Sequence, residues 1–429
     1  MPKYPPRKTG SKKPVPYKPA PKNSASKKAA PKKPTEGHAA QYSARPTLKI
    51  DLAAIQRNYN RLQDHVGRSV KVAASIKADA YGLGAERVGR TLYGAGCRNF
   101  FVATAGEGKI LRSAIGDTAS IYVLNGPAPR DTSLYYGADL KPVINSMEQA
   151  QAWLSATREA KRRPACAIHI DTGMNRLGLS LEDAKTLGRN RKMLEKIVPM
   201  LIMSHLANAP NKDSAANAEQ LLRFQKAAAQ FPVMPMSLAN SPGIFLGKKY
   251  HFQMVRAGLG LFAKDITSDR ASNLTENAVS LMAPVLQVRN INKGETLGYD
   301  ATYVAQSDMK VAIVGAGYAD GIPVSASSTH KKSGGFARLQ GRIVQIIGRV
   351  SMDLTILDVT NLPRELKLGD WAEFMGNDLS ALAKDCGTIP YELITRLGAR
   401  CRRDYYSCLL YTSDAADEED SALPTKRIV

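Results

Sequence analysis

The sequence predicts an α/β protein, an N-terminal (β/α)8 TIM-like barrel followed by a mostly-β C-terminal domain. Three observations carry that prediction. Short β-branched apolar runs recur about every 25 residues from residue 71 onward, stretches of helix length separate them, and after about residue 275 the apolar pattern changes to period two. With 429 residues the chain can bury two cores of ordinary size.

The runs are, in order, VKVAASIK (70–77), NFFVAT (99–104), SIYVLN (120–125), KPVIN (141–145), ACAIHID (165–171), PMLIMSHL (199–206), PMSLAN (235–240) and HFQMVRAG (251–258). Alternating units of this kind suit either a closed barrel or a doubly wound sheet. Polar or reactive residues stand at most of the strand ends, which favours the barrel, whose functional groups gather at the C-terminal rim. Residues 46–275 are therefore assigned to the barrel. Beyond them, LMAPVLQVRNI, MKVAIVGAGY, RIVQIIGRVSMDLTILDV and WAEFMG alternate as strands do. The turns Lys293-Gly294 and Gly334-Gly335 suit hairpins or sharp corners, so residues 276–407 read as a separate β domain.

The two ends differ from this body. Residues 1–45 hold 12 Lys or Arg and one acid, Glu36, which is half of the net charge of +22. Rich in Pro, Lys, Ala and Ser and without apolar periodicity, this segment cannot offset the entropy of ordering and is expected to be a disordered basic tail. Its charge offers nucleic acid or an anionic surface only weak, salt-sensitive attraction, so neither is expected as the main partner. The opening charges are not followed by the apolar stretch of a signal peptide, and no run reaches the ~18 apolar residues of a membrane helix, so a cytoplasmic protein is expected. Five cysteines (Cys97, Cys166, Cys386, Cys401 and Cys408) form no CxxC pair, which fits reduced thiols better than disulfides or a metal site. At the other end, CLLYTSDAADE (408–418) can be encoded by the transposon-end adapter used in preparing sequencing libraries, and residues 408–429 are expected to be a non-native tail.

The first barrel run ends SIKADAYGLG, which puts Lys77 at the barrel mouth and Tyr81 four residues on. An amine in an enclosed mouth can be deprotonated by desolvation, as Schiff-base chemistry requires. KADAYGLG resembles the cofactor-lysine motif of alanine racemases, with Leu83 where that family usually has His. HIDTGMNRLGL (169–179), SHLANA (204–209), LANSPG (238–243), MVRAGLGLF (254–262), GYDATY (298–303), GYADG (317–321), GRVSMD (348–353) and TIPYE (388–392) follow where the family has its signatures. The resemblance runs from about Arg45 to Ser407.

That resemblance implies a fold-type III racemase that interconverts L- and D-alanine with pyridoxal 5'-phosphate (PLP) carried by Lys77. Tyr81, Ser241, Tyr391 and the backbone at Gly258 and Leu259 are expected to hold the phosphate, where hydroxyls and close-approaching amides suit a dianion. Arg256 is expected to face the pyridine nitrogen, with His205 stacked near the ring. The second proton-transfer base is expected to be Tyr299, reaching in from the β domain of a second subunit, so a homodimer follows. A phenol near pKa ~10 needs cationic neighbours to act as a base, and His205 and Arg256 are expected to supply them. Arg176, Met352 and Asp353 are expected to bind the substrate carboxylate or support the phenolate side. Asp171 and Asn175 are expected to cap a turn rather than react. His169 stands where many members of the family carry a carbamylated lysine that contacts the arginine matching Arg176. No metal is expected, and the product would feed peptidoglycan. A racemase of broader substrate range, acting on serine or basic amino acids, and a non-catalytic PLP-binding protein are the alternatives; the second resembles a lone barrel, without the GYDATY and GRVSMD segments present here.

Overall fold

The computed structural model describes residues 45–128, 131–156, 158, 165–264 and 274–407; the basic tail up to residue 44 and the segment 408–429 lie outside the described residues. Among the described residues no helix is long and apolar enough to cross a membrane.

After β1 (Thr47–Asp51) come eight strands, β2 (Lys71–Ser75), β3 (Asn99–Val102), β4 (Ser120–Val123), β5 (Leu140–Ile144), β6 (Cys166–His169), β7 (Pro199–Met203), β8 (Met236–Ser237) and β9 (Met254–Ala257). They pair in chain order and β9 returns to β2, which closes a parallel barrel with each strand overlapping one of the eight apolar runs. Helices between the strands cover its outside, and the inside is filled by side chains. Ala73 and Ala167 leave room for Phe101 and Tyr122, whose rings stack with centroids 4.7 Å apart beneath Met203 and Met254. A packed interior leaves the rim as the place for chemistry.

The second sheet contains β10 (Val279–Ile291), β13 (Met309–Val314), β14 (Phe336–Leu339), β15 (Arg342–Gln345), β16 (Thr355–Asp358), β17 (Trp371–Met375) and β18 (Arg402–Tyr406), while β11 (Thr296–Leu297) and β12 (Tyr303–Val304) form a small ribbon. An irregularity in β10 between Val285 and Gln287 lets one long strand serve two neighbours, β17 before it and β13 after it. Residues 47–51 fall in the segment that the sequence assigns to the barrel, but they form β1, which pairs antiparallel with β10 and parallel with β18. Their short pattern, TLKID, carries no mark of which sheet it joins. Asp51 then caps the helix Leu52–Val66 through Ala54 N–H at 2.9 Å and leads the chain into the barrel.

The first barrel strand also departs from expectation. It stops at Ser75, and Ala78, Asp79, Ala80 and Tyr81 all take left-handed backbone angles, with φ between 53° and 61°. L-residues avoid this region at a cost of roughly 1–2 kcal/mol each. The turn is held from its own side by Ala80 N–H to Ile76 O (2.9 Å) and by Asp79, which accepts Gly84 N–H on its carbonyl (2.9 Å) and Ala85 N–H on its carboxylate (2.7 Å). At Gly84, φ is +92° and an added Cβ would stand 2.1 Å from Tyr405 Oη, so only glycine fits. Gly84→Ala is expected to lower unfolding stability by about 1–3 kcal/mol in denaturant titration, and by less in a Tyr405→Phe background, where the clashing oxygen is gone. Equal losses in both backgrounds would show that the clash is not the cause.

Candidate active site

The barrel mouth opens into a cleft of about 900 Å³ lined by Lys77, Tyr81, His169, Arg176, His205, Ser241, Arg256 and Gly258, with Ile389, Tyr391, Glu392 and Thr395 closing one edge from the β domain. The strand ends thus bring together most of the residues singled out from the sequence. Leu259 is buried behind Gly258 and is not among the lining residues.

Lys77 opens the left-handed turn. Its entry is fixed by Glu107, whose carboxylate accepts Ala78 N–H (3.1 Å) and Ala103 N–H (2.8 Å) while Thr104 caps the same helix through Glu107 N–H. Burial holds the Lys77 amine below the ordinary lysine range; the Arg176 charge pushes the same way and Glu107 opposes it. The amine is therefore easier to deprotonate than a free lysine, as a nucleophile requires.

Ser241 gathers the next group. Its Oγ accepts Gly258 N–H (2.8 Å) and Gly260 N–H (3.2 Å), which leaves the hydroxyl proton free to donate. Tyr81 lies beside it, its phenol pushed up by burial and so held protonated as a donor, with Ser75 working in the opposite direction. A Cβ at Gly258 would stand 2.5 Å from Tyr81 Oη and would fill this cradle. The second amide on Ser241 Oγ is that of Gly260, which the Gly-x-Gly spacing of RAGLGLF marks.

Arg256 is 5% exposed and donates only to neutral acceptors: Ser237 O (3.0 Å), Ser237 Oγ (2.7 Å) and Ser204 O (2.5 Å). Burial lowers its pKa to about 10, so it remains a cation at neutral pH, and no carboxylate cancels its charge in these contacts. Arg256 Nη2 lies 3.2 Å from His205 Nδ1. Because a guanidinium only donates, that nitrogen accepts, while Nε2 faces the Asn240 amide nitrogen at 3.3 Å. Burial, then Arg256 and Arg176, hold His205 well below its usual pKa. His205 is thus neutral, which corrects the expectation that it supplies a cation, whereas Arg256 keeps its charge.

His169 is neutral as well, its pKa lowered to about 4 by burial first and Arg256 second. Asn145 spends its amide protons on Leu124 O (3.0 Å) and Val143 O (2.9 Å), so its Oδ1 faces His169 Nδ1 at 2.9 Å and accepts from it. Nε2 is left as a lone-pair acceptor at the cleft. His169 can receive a hydrogen bond where a carbamylated lysine would also bring negative charge. Nearby, Asp171 accepts the amides of Gly173, Met174 and Asn175 at 2.9–3.2 Å, the expected turn cap.

Tyr299, Met352 and Asp353 are not brought to this cleft within the chain. Tyr299 is 65% exposed and Met352 53% exposed, on loops of the β domain. There GYDATY is tied to GRVSMD by the Asp300–Arg349 ion pair, and GYADG to the same loop by Tyr318 N–H to Ser351 O and Ala319 N–H to Met352 O, both 3.0 Å. Arg400 locks the arrangement by binding fully buried Asp320 (2.7 and 2.8 Å) and Asp353 (2.6 Å) together.

The donor set fits PLP. Two hydroxyls, one of them held by two convergent amides, suit a phosphate, a deprotonatable amine suits an aldehyde, and Arg256 can face a ring nitrogen. The acid at the edge, Glu392, is paired with Arg396 at 2.9 Å and leaves the cleft cationic.

Profiles of the alanine racemase N-terminal and C-terminal domains match residues 50–265 and 278–405. The chain is 42% identical over 374 residues to the alanine racemase of Brucella canis, covering 83% of this chain and 93% of that one. It is also 42% identical over 361 residues to the alanine racemase of Acidiphilium cryptum, covering 83% and 98%. Among solved structures, the alanine racemase of Bartonella henselae with covalently bound pyridoxal phosphate superposes with a TM-score of 0.79 at 34% identity, over 85% of this chain and all 100% of that one. The biosynthetic alanine racemase of Pseudomonas aeruginosa gives 0.78 at 29% identity, over 85% and 100%.

The electrostatics of Lys77 predict a pH dependence. Capture of PLP by the cofactor-free protein, followed by visible absorption, is expected to rise with pH and level off below the ~10.4 of an ordinary lysine. Arg176→Ala removes a cation and moves the midpoint up; Glu107→Gln removes an anion and moves it down. Midpoints that stay with the wild type would place the amine outside the field of both.

Proposed function

The chain belongs to the alanine racemase family, and from that premise we propose that it interconverts L- and D-alanine with PLP on Lys77, in a site completed by Tyr299 of a second copy of the chain. The observation that carries this reading is a division. A cationic cleft with a readily deprotonated lysine lies at one barrel mouth, while the tyrosine motif stands exposed on a different face of the same chain.

PLP, when bound, supplies an electron sink that makes the substrate α-proton easier to remove. The chain's own residues do the rest. Tyr81 and Ser241 donate hydroxyl protons, and the Gly258 and Gly260 amides brace Ser241, so the phosphate end is anchored; Tyr391 closes the same edge. Arg256, a cation without a carboxylate partner, opposes protonation of the ring nitrogen and so restrains the sink, which disfavours side reactions such as transamination. Arg176 offers the substrate carboxylate a cation on the mouth side, with Met352 and Asp353 of the second copy opposite. Lys77 Nζ takes or returns a proton on one face of the α-carbon, and Tyr299 Oη does so on the other, which is what inversion requires. Each transfer is general acid–base catalysis by a positioned group. We also place the enzyme in the cytoplasm, supplying D-alanine for peptidoglycan; the described cysteines, all free and buried, accord with reduced thiols.

The test is complementation. Lys77→Ala is expected to lose both the visible absorption of bound PLP and alanine racemisation, whereas Tyr299→Phe keeps the colour and loses about 10²–10⁴-fold in kcat. Co-expressed, the two inactive chains form mixed dimers in which one of two sites has both bases, so activity returns. Mixed dimers that stay inactive would place both bases on one chain. A colourless wild type would overturn the cofactor role of Lys77.

A further inference from the structure

The left-handed turn at Lys77 is held at its entry by barrel residues, but its exit is held by the last strand of the β domain. Arg403 Nε and Nη2 both donate to Gly82 O, at 3.2 and 3.1 Å, and Tyr405 Oη donates to Leu83 O at 3.0 Å. These are consecutive carbonyls at the point where the turn ends. Period-two alternation in β18 puts Arg403 and Tyr405 on one face, whereas Arg402 and Asp404 face the other way and pair with each other at 2.7 Å. β18 runs parallel to β1, with Arg403 opposite Leu48 and Tyr405 opposite Ile50, both fully buried. The clamp is therefore mounted on a rigid strand pair, and the Arg87 guanidinium lies 5.8 Å from the Tyr405 ring centre.

We propose that Arg403 and Tyr405 are positioning residues for the active site: by fixing the Gly82 and Leu83 carbonyls they hold the turn that carries Lys77 and Tyr81, so retention of PLP depends on the final strand. A turn of left-handed L-residues has right-handed alternatives of lower local energy, and one that opened at its exit would move Lys77 and Tyr81 together, since both lie within five residues of it. Neither Arg403 nor Tyr405 lines the cleft, so neither acts on the substrate directly.

This rests on the reading of Lys77 as the PLP lysine, and the experiment separates the two. PLP release from the full-length holoenzyme is followed by visible absorption after dilution into an aldehyde trap, together with hydrogen exchange over residues 76–85 and the melting temperature. Arg403→Ala is expected to speed release roughly tenfold, the scale of losing a hydrogen bond from a charged donor, and to raise exchange in the turn alone. Arg403→Lys, which keeps a cationic donor, restores most of the retention. Tyr405→Phe moves the same readouts in the same direction by less, and it decides the matter if Arg403→Ala does not fold. Arg402→Ala, on the opposite face, leaves both unchanged. Wild-type release and exchange in Arg403→Ala and Tyr405→Phe would overturn the proposal, as would exchange that rises evenly through the chain with a lowered melting temperature. A wild type that holds no PLP would overturn the cofactor reading, and this proposal with it.

Discussion

The geometry of the candidate site depends on one constraint, the left-handed turn from Ala78 to Tyr81. A barrel strand continuing straight would carry Lys77 outward along the rim, and an ordinary helix starting there would turn Tyr81 the other way. The left-handed path lets a half-buried amine and a buried phenol open on one cleft four residues apart. Such a path does not persist on local preference. It persists because contacts hold it at entry, middle and exit: Glu107 on Ala78, Asp79 on Gly84 and Ala85, and the last strand on Gly82 and Leu83. Strain of this kind survives only where the surroundings over-determine it.

Around that turn the charges are arranged by burial more than by pairing. Arg256 has no carboxylate partner among the described residues, and burial first, with its field second, keeps His205 and His169 neutral. Two histidines in a cleft invite a reading as acids or cations. Here each faces a partner with no freedom to change role: Arg256 can only donate to His205, and Asn145 has only its oxygen left for His169. The cleft therefore presents a lysine, two arginines and two neutral rings, a set matched to anionic ligands rather than to proton relay through histidine.

The barrel was legible because its strands are continuous apolar runs whose polar ends fall at one rim, and Lys77, Tyr81, His205, Ser241 and Arg256 are strand-end residues with recognisable motifs. What was not legible has specific causes. KADAYGLG carries no local mark of a left-handed turn, since Ala and Asp rarely adopt one and only distant contacts enforce it. TLKID gives no sign that it belongs to the second sheet, because its partners lie more than 200 residues away. Glu107 left a trace in the Thr104-x-x-Glu107 spacing of a capping box, but its second use, on Ala78, needed the fold. The charge states of His169 and His205 depend on burial and on Arg256, and neither is written in SHLANA or HIDTG.

A base on each face of a substrate carbon needs two opposed walls, and the barrel has only one to offer. All eight strands are parallel, so every rim residue approaches the cleft from the same side. The chain's own β domain contributes an edge through Tyr391 and its helical turn, yet GYDATY, GYADG and GRVSMD do not line that cleft and Tyr299 is exposed. Those loops are tied to one another. Arg400 spans a buried and an exposed carboxylate, and the loops share backbone hydrogen bonds, so the tyrosine stands on a prepared platform rather than a loose loop. A rigid platform serves proximity catalysis only if something docks against it in a fixed position. In the dimer proposed for this chain, a second copy would offer a barrel mouth that lacks its opposite wall, and a two-fold axis would let two copies complete each other with one pair of surfaces.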